Sequence, residues 1–194
     1  MLDLALKFLA DEVNTFLTKR SLSSPSLGEV VGGLLVDDTG KWATVPDVVG
    51  LTLVNIEEER LLRSQLPDYV LRNGAQILVQ PELKLNLTLL VHSRPSDQSK
   101  YGQSLRFLAN VLTFFQAHPT FSPDEYPGLD PRIQQLNVEL MTLTLEQLNQ
   151  MWAYLGSKYL PSMVYRVRMV VLQDLEPLAI ATPITSIDLE LHDR

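Results

Sequence analysis

No cysteine occurs in this chain of 194 residues, which removes disulfide frameworks, zinc–thiolate sites and cysteine nucleophiles together. The lack suits a reducing cytoplasm. No apolar run approaches the ~20 residues needed to cross a bilayer, so the sequence reads as soluble, without membrane insertion. Positive charge is scarce, with 16 Lys and Arg against 23 Asp and Glu, a net charge of −7. Nucleic-acid binding rests on Lys and Arg meeting phosphates, so no nucleic-acid partner is expected. The opening segment, Met1-Leu2-Asp3-Leu4-Ala5-Leu6-Lys7, carries an early acid and no basic stretch, and makes a poor secretory signal.

Catalytic signatures are missing as well. There is no G-x-S-x-G, no Walker loop and no G-x-G-x-x-G. His92, His118 and His192 stand far apart, and none pairs with another His or an acid at a recognised metal spacing. Asp38-Thr39-Gly40, after Leu34-Leu35-Val36, matches the Asp-Thr-Gly of aspartic proteases. Their chemistry needs two carboxylates sharing a proton, so a chain with one copy has to dimerise. The small residue usual after the glycine is replaced here by Lys41. Asp38 is therefore read as a turn residue, for which Asp and Gly supply the backbone conformations. Gly32-Gly33 reads as a bulge or close-packing site, and Glu57-Glu58-Glu59 as a solvated face. No catalytic, cofactor-binding or metal-binding residue is assigned.

What is present is enough apolar residue, 45% of the chain, to build a sizeable core in a single domain. Leu2, Leu6, Leu9, Val13, Phe16 and Leu17 recur at helical spacing and predict a helix over 2–19. Val30 to Val36 and Trp42 to Val45, joined by Asp37-Asp38-Thr39-Gly40, predict a hairpin. Residues 47–56 predict a strand, with Glu57 to Arg60 either extending it or opening a short helix. The clearest period-two segment is 83–92, where Leu83, Leu85, Leu87, Leu89 and Val91 alternate with a mostly polar set. Leu105, Leu108, Val111, Leu112 and Phe115 mark a helix over 102–117, stopped at His118-Pro119. Residues 119–131 hold four prolines and a glycine and predict an irregular connector.

Ile133 to Thr142 alternates through Leu136, Val138 and Leu140, and Thr144 with Gln147 forms a capping box for a helix ending at Gly156. Met163 to Leu172 is the last firm strand, and an edge strand is expected near 184–191. The order gives an α+β domain, a mixed β-sheet with flanking α-helices. It covers 1–194, with a core to about 173 and an extended tail over 174–194. In the last strand Val164, Arg166, Arg168, Val170 and Leu172 share one face. Two readings stand for its arginines: they snorkel to solvent over apolar neighbours, or they line a protein interface.

Three blocks carry a resemblance. The first is Pro81-Glu82-Leu83-Lys84-Leu85-Asn86-Leu87, and the second runs from Tyr101 to Phe121 through Phe114-Phe115-Gln116-Ala117-His118-Pro119. The third runs from Leu129-Asp130-Pro131-Arg132-Ile133 through Trp152 and Lys158-Tyr159-Leu160-Pro161-Ser162 to Tyr165-Arg166-Val167-Arg168-Met169. In order and spacing these resemble the tail-terminator, or tube-cap, family of phage-tail-like contractile injection systems, of the antifeeding-prophage and virulence-cassette type. Thr88 to Val91 departs from the pattern in lacking an aromatic residue.

The resemblance implies a phage tail-terminator-like fold and a homo-hexameric ring that closes the distal end of the inner tube and contacts the last sheath ring. It implies no enzymatic activity and no cofactor. The protein would assemble in the cytoplasm and become part of a phage-tail-like particle. Within the matching blocks Arg132, Lys158, Arg166 and Arg168 are the expected interface residues. The alternative is a monomeric assembly adaptor or chaperone of the same system.

Overall fold

The computed structural model describes residues 1–21, 28–59, 68–72, 75–172 and 179–180. In chain order the elements are α1 (Leu2–Ser21), β1 (Val30–Gly32), β2 (Val49–Glu58), β3 (Asp68–Arg72), β4 (Ala75–Val79) and β5 (Leu83–Ser93). There follow α2 (Tyr101–Ala117), β6 (Thr120–Phe121), β7 (Leu136–Met141), α3 (Leu145–Tyr154), β8 (Ser162–Leu172) and β9 (Ala179–Ile180). A six-stranded sheet runs β1-β2-β5-β8-β7-β6, and a small sheet runs β3-β4-β9. Only the β1–β2 pair is parallel among these ladders, so the large sheet is mixed, as expected.

α1 forms where the helical spacing placed it, with Asp3 in its first turn and Lys19 and Arg20 in its last, each favourable to the helix dipole. Its buried stripe of Ala5, Phe8, Leu9, Val13 and Leu17 packs into the main core with Phe107, Val111 and Phe115 of α2. Leu85, Leu87, Leu89 and Val91 of β5 complete that core from the sheet, while Leu83 at the start of the same alternating set is exposed.

The other face of β5 is a correction. It was expected to be mostly polar, yet Leu90 and His92 are fully buried on it. α3 and the segment after β1 cover that face: Trp152, Leu35, Leu90 and Val164 form a second core, with Val36 and Trp42 packed against it. A strand between β2 and β8 is central, and a central strand covered on both sides loses its period-two signal.

The hairpin expected over 30–45 is also reduced. Only Val30–Gly32 is strand, and it pairs with β2 rather than with 42–45. What remains is a turn closed by a single Val36–Trp42 bridge. Glu57 and Glu58 extend β2, which settles the choice between strand and helix. The β3–β4 hairpin was not anticipated. The connector over 119–131 contains the short β6, and Phe121 and Leu129 from it are fully buried. α3 has the anticipated capping box, with both Thr144–Gln147 bonds present, and Gly156 after it adopts φ +65°. The edge strand expected near 184–191 lies outside the described residues.

Candidate protein interface

β8 lies between β5 and β7, and its register places Arg166 between Thr88 and Glu139. Tyr165 and Val167 point into the main core, while Val164 belongs to the second core, so Arg166 and Arg168 share the α3 side of the sheet. α3 covers only the Val164 end of that side. Past it the sheet face is polar and open, carrying Thr88, Arg166, Arg168 and Glu139. The alternation expected through Leu172 stops here, because Leu87 pairs with Val167 but Leu85 with Val170, a bulge in β8.

The two arginines differ in their bonding. Arg168 Nη2 stands 3.1 Å from Glu139 Oε2, with the side chains 43% and 52% exposed. A pair this exposed contributes at most about 1 kcal/mol. Arg166 is half-buried, and it takes part in none of the ion pairs among the described residues. Nε of each arginine is covered and without a hydrogen-bond partner. Beside them Asn86 is 8% exposed; its Nδ2 donates to Glu59 Oε2 at 2.9 Å, while its Oδ1 has no partner among the described residues. A groove of ≈ 380 Å³ adjoins the strip, lined among others by Glu59, Pro119, Thr120, Asn137, Glu139 and Arg168.

The remaining two expected residues lie elsewhere. Arg132 forms a bidentate pair with Asp130, Nε to Oδ1 at 2.9 Å and Nη2 to Oδ2 at 2.8 Å, and its backbone N–H also donates to Oδ1. The side-chain bonds from Arg132, then its backbone bond, hold the Asp130 carboxyl at about 2. Arg132 is thus engaged within its own turn before β7. Lys158 is exposed in the loop leading into β8, next to Tyr159, which is itself exposed. Among the described residues no ion pair links these places to the β8 strip.

The Asp-Thr-Gly turn is organised by the residue before the motif. Asp37 Oδ1 accepts from Thr39 N at 2.9 Å, Thr39 Oγ1 at 2.7 Å and Lys41 N at 2.9 Å. Those bonds, the Thr39 hydroxyl first, hold the Asp37 carboxyl below the usual carboxylate range. Gly40 adopts φ +75°, a conformation that favours glycine. Asp38 is exposed and outside these bonds. The turn-shaping role expected of Asp38 therefore belongs to Asp37.

Sequence reasoning missed the exposed apolar residues. Leu140 alternates with Leu136 and Val138, which are buried, yet it is 54% exposed. β6 pairs with Leu136 and Asn137 and Val138 N donates to Pro119 O, and beyond Val138 no described strand pairs with this edge of β7. Leu145 and Tyr154 project from α3, 86% and 82% exposed. Leu34 lies at the mouth of a cavity of ≈ 630 Å³ between α1 and the β1–β2 edge. Alternation marks Leu140 as a core residue and helical spacing marks Leu145, and neither pattern carries a signal of their exposure.

The model of a family described as the Pvc16 N-terminal domain matches residues 5–186. No curated protein matches the chain. Among solved structures, the sheath/tube terminator of the extracellular contractile injection system PVC, in its extended state, is similar at 17% identity with a TM-score of 0.60. That likeness covers 96% of this chain and 63% of the other. The tube-terminating cap of the anti-feeding prophage is similar at 16% identity with a TM-score of 0.57, over 91% of this chain and 60% of that one. The chain thus spans less than two thirds of each. Both share its α+β fold, a mixed sheet with flanking helices.

Proposed function

The chain belongs to the family of the Pvc16 N-terminal domain, and we propose on that footing that it is a structural cap ending the inner tube and sheath of a phage-tail-like contractile injection system. The observation that carries this reading is the fold it shares, over 96% of its length, with a sheath/tube terminator. The proposed role is architectural and uses no catalysis. Copies of the chain form a six-membered ring, which assembles in the cytoplasm, docks on the last tube and sheath rings and stays in the particle. A ring of identical subunits requires two different patches that fit head to tail. The β8 strip, with its half-buried Arg166, serves as one such patch, since arginine is enriched where surfaces dock. Arg132 and Lys158 are secondary contacts.

The test is the length of the particles. Cells lacking the gene should yield tubes and sheaths of uncontrolled length, or few intact particles. Restoring the gene should restore uniform length. Particles of normal, uniform length from the deletion strain would overturn the cap reading.

A further inference from the structure

The Asp37-to-Gly40 turn is the one motif to which neither the core nor the proposed cap role gives a task. Its backbone is held by two N–H bonds to Asp37 Oδ1 and by the Asp37 N to Lys41 O bond at 2.8 Å, and the Thr39 hydroxyl donates to the same carboxylate oxygen. Such a turn is a fixed projection, with Asp38 exposed on it. Its flanks, Val36 and Trp42, are anchored on the second core together with Leu35. The turn therefore lies on the same side of the large sheet as Arg166 and Arg168.

Within one chain the two features belong to different flanks of that side. The turn belongs to the β1–β2 flank and the arginines to the β8–β7 flank of the order β1-β2-β5-β8-β7-β6. Among the described residues no ion pair joins them. One flank thus offers an acid outside its own turn's bonds, and the other an arginine with no counter-ion among the described residues. Lys41 is the cation on the turn, set against two acids, Asp37 and Asp38, so the projection remains negative. Two acids lie beside the strip: Arg168 pairs with Glu139, and Glu59 accepts from Asn86 Nδ2.

We propose that the Asp37-to-Gly40 turn of one copy docks on the Arg166 strip of the next, so that Asp38 supplies the missing counter-ion. Two unlike and complementary patches on opposite flanks of one sheet side are what a closed head-to-tail ring needs. This rests on the ring reading above and names the contact within it.

Because the chain has no cysteine, a cross-link tests the contact directly. Asp38→Cys and Arg166→Cys are combined in one chain, made together with tube and sheath, and particles are oxidised and run on a denaturing gel without reductant. A ladder of covalent multimers from the double variant, and from neither single variant, is the expected result. The double variant sitting at particle ends but running only as monomer overturns the contact and leaves the cap reading standing. Wild-type protein absent from particle ends overturns the cap reading itself, and the contact with it. Charge exchange gives a second measurement if the thiols disturb folding. Asp38→Arg alone and Arg166→Glu alone should each lower the fraction of capped ends about tenfold, and the two together should restore it. A pair no better than either single change also overturns the contact.

Discussion

His92 shows how much one side chain can report. It pairs across the ladder with Gly50, and a Cβ built on that glycine would stand 2.3 Å from the imidazole Cε1 and 2.4 Å from Nε2. Gly50 is thus required for space, and Gly50→Ala should cost about 1–3 kcal/mol, read as a lower urea midpoint that His92→Ala partly restores. Thr52 Oγ1 donates its only proton to Gly33 O at 2.9 Å, so at 3.3 Å His92 Nε2 must be the donor to Thr52. Nδ1 is left buried without a partner. Burial lowers the His92 pKa to about 4, whereas in the unfolded chain it sits at about 6.5. Between those values the unfolded state binds more protons, so stability rises with pH across the window. It is complete above about 6.5 and declines as pH falls toward 4, by roughly 3 kcal/mol in all. Denaturant midpoints from pH 4 to 7.5 should show this slope, and His92→Gln should flatten it. At the same scale, Asp37→Ala should lower the melting temperature while Asp38→Asn leaves it unchanged, because only Asp37 holds the turn.

Among elements, β5 and α3 divide the load. Leu87 is fully buried in the main core between sheet and helices. Leu87→Asp puts an unpaired carboxylate there, a cost of several kcal/mol, and should abolish soluble expression. α3 covers the second core through Trp152 and starts at a full capping box. Thr144→Ala should cost about 1 kcal/mol, measurable by denaturant unfolding. These elements were legible because their causes are local: helical spacing, a capping pair, alternation. The β3–β4 hairpin has a local cause as well, since Asn73-Gly74 stands between its strands in sequence, a strong two-residue hairpin signal. The second buried face of β5 had no such signal. It depends on Leu35 and Trp152 arriving from distant parts of the chain. The Arg168–Glu139 pair likewise follows from strand register, which alternation alone does not set.

For the whole molecule, the cap reading makes the β8 strip dispensable for folding and necessary for assembly. Arg166→Glu with Arg168→Glu removes one exposed pair, worth at most about 1 kcal/mol, so the purified variant should melt cooperatively near the wild type. Cells making it in place of wild type should yield particles of uncontrolled length. A variant that unfolds would instead make the arginines structural. Arg166 and Arg168 were legible as a pair because arginines among apolar neighbours on a strand stand out in sequence. Arg132 was legible as a residue but not in its bonding, since the sequence does not show Asp130 closing back on it.

The main core gathers Ala5 and Val167 into one cluster, and this orders events at the ribosome. α1 emerges first, yet the partners that bury Phe8, among them Phe121, and the strand that closes the core are translated far later. Contacts so distant in sequence close slowly and only after loop-closure entropy has been met. Until α2 and β8 have left the exit tunnel the nascent helix therefore has only part of the surface that buries its apolar stripe, with β1 and β2 arriving first and the rest later.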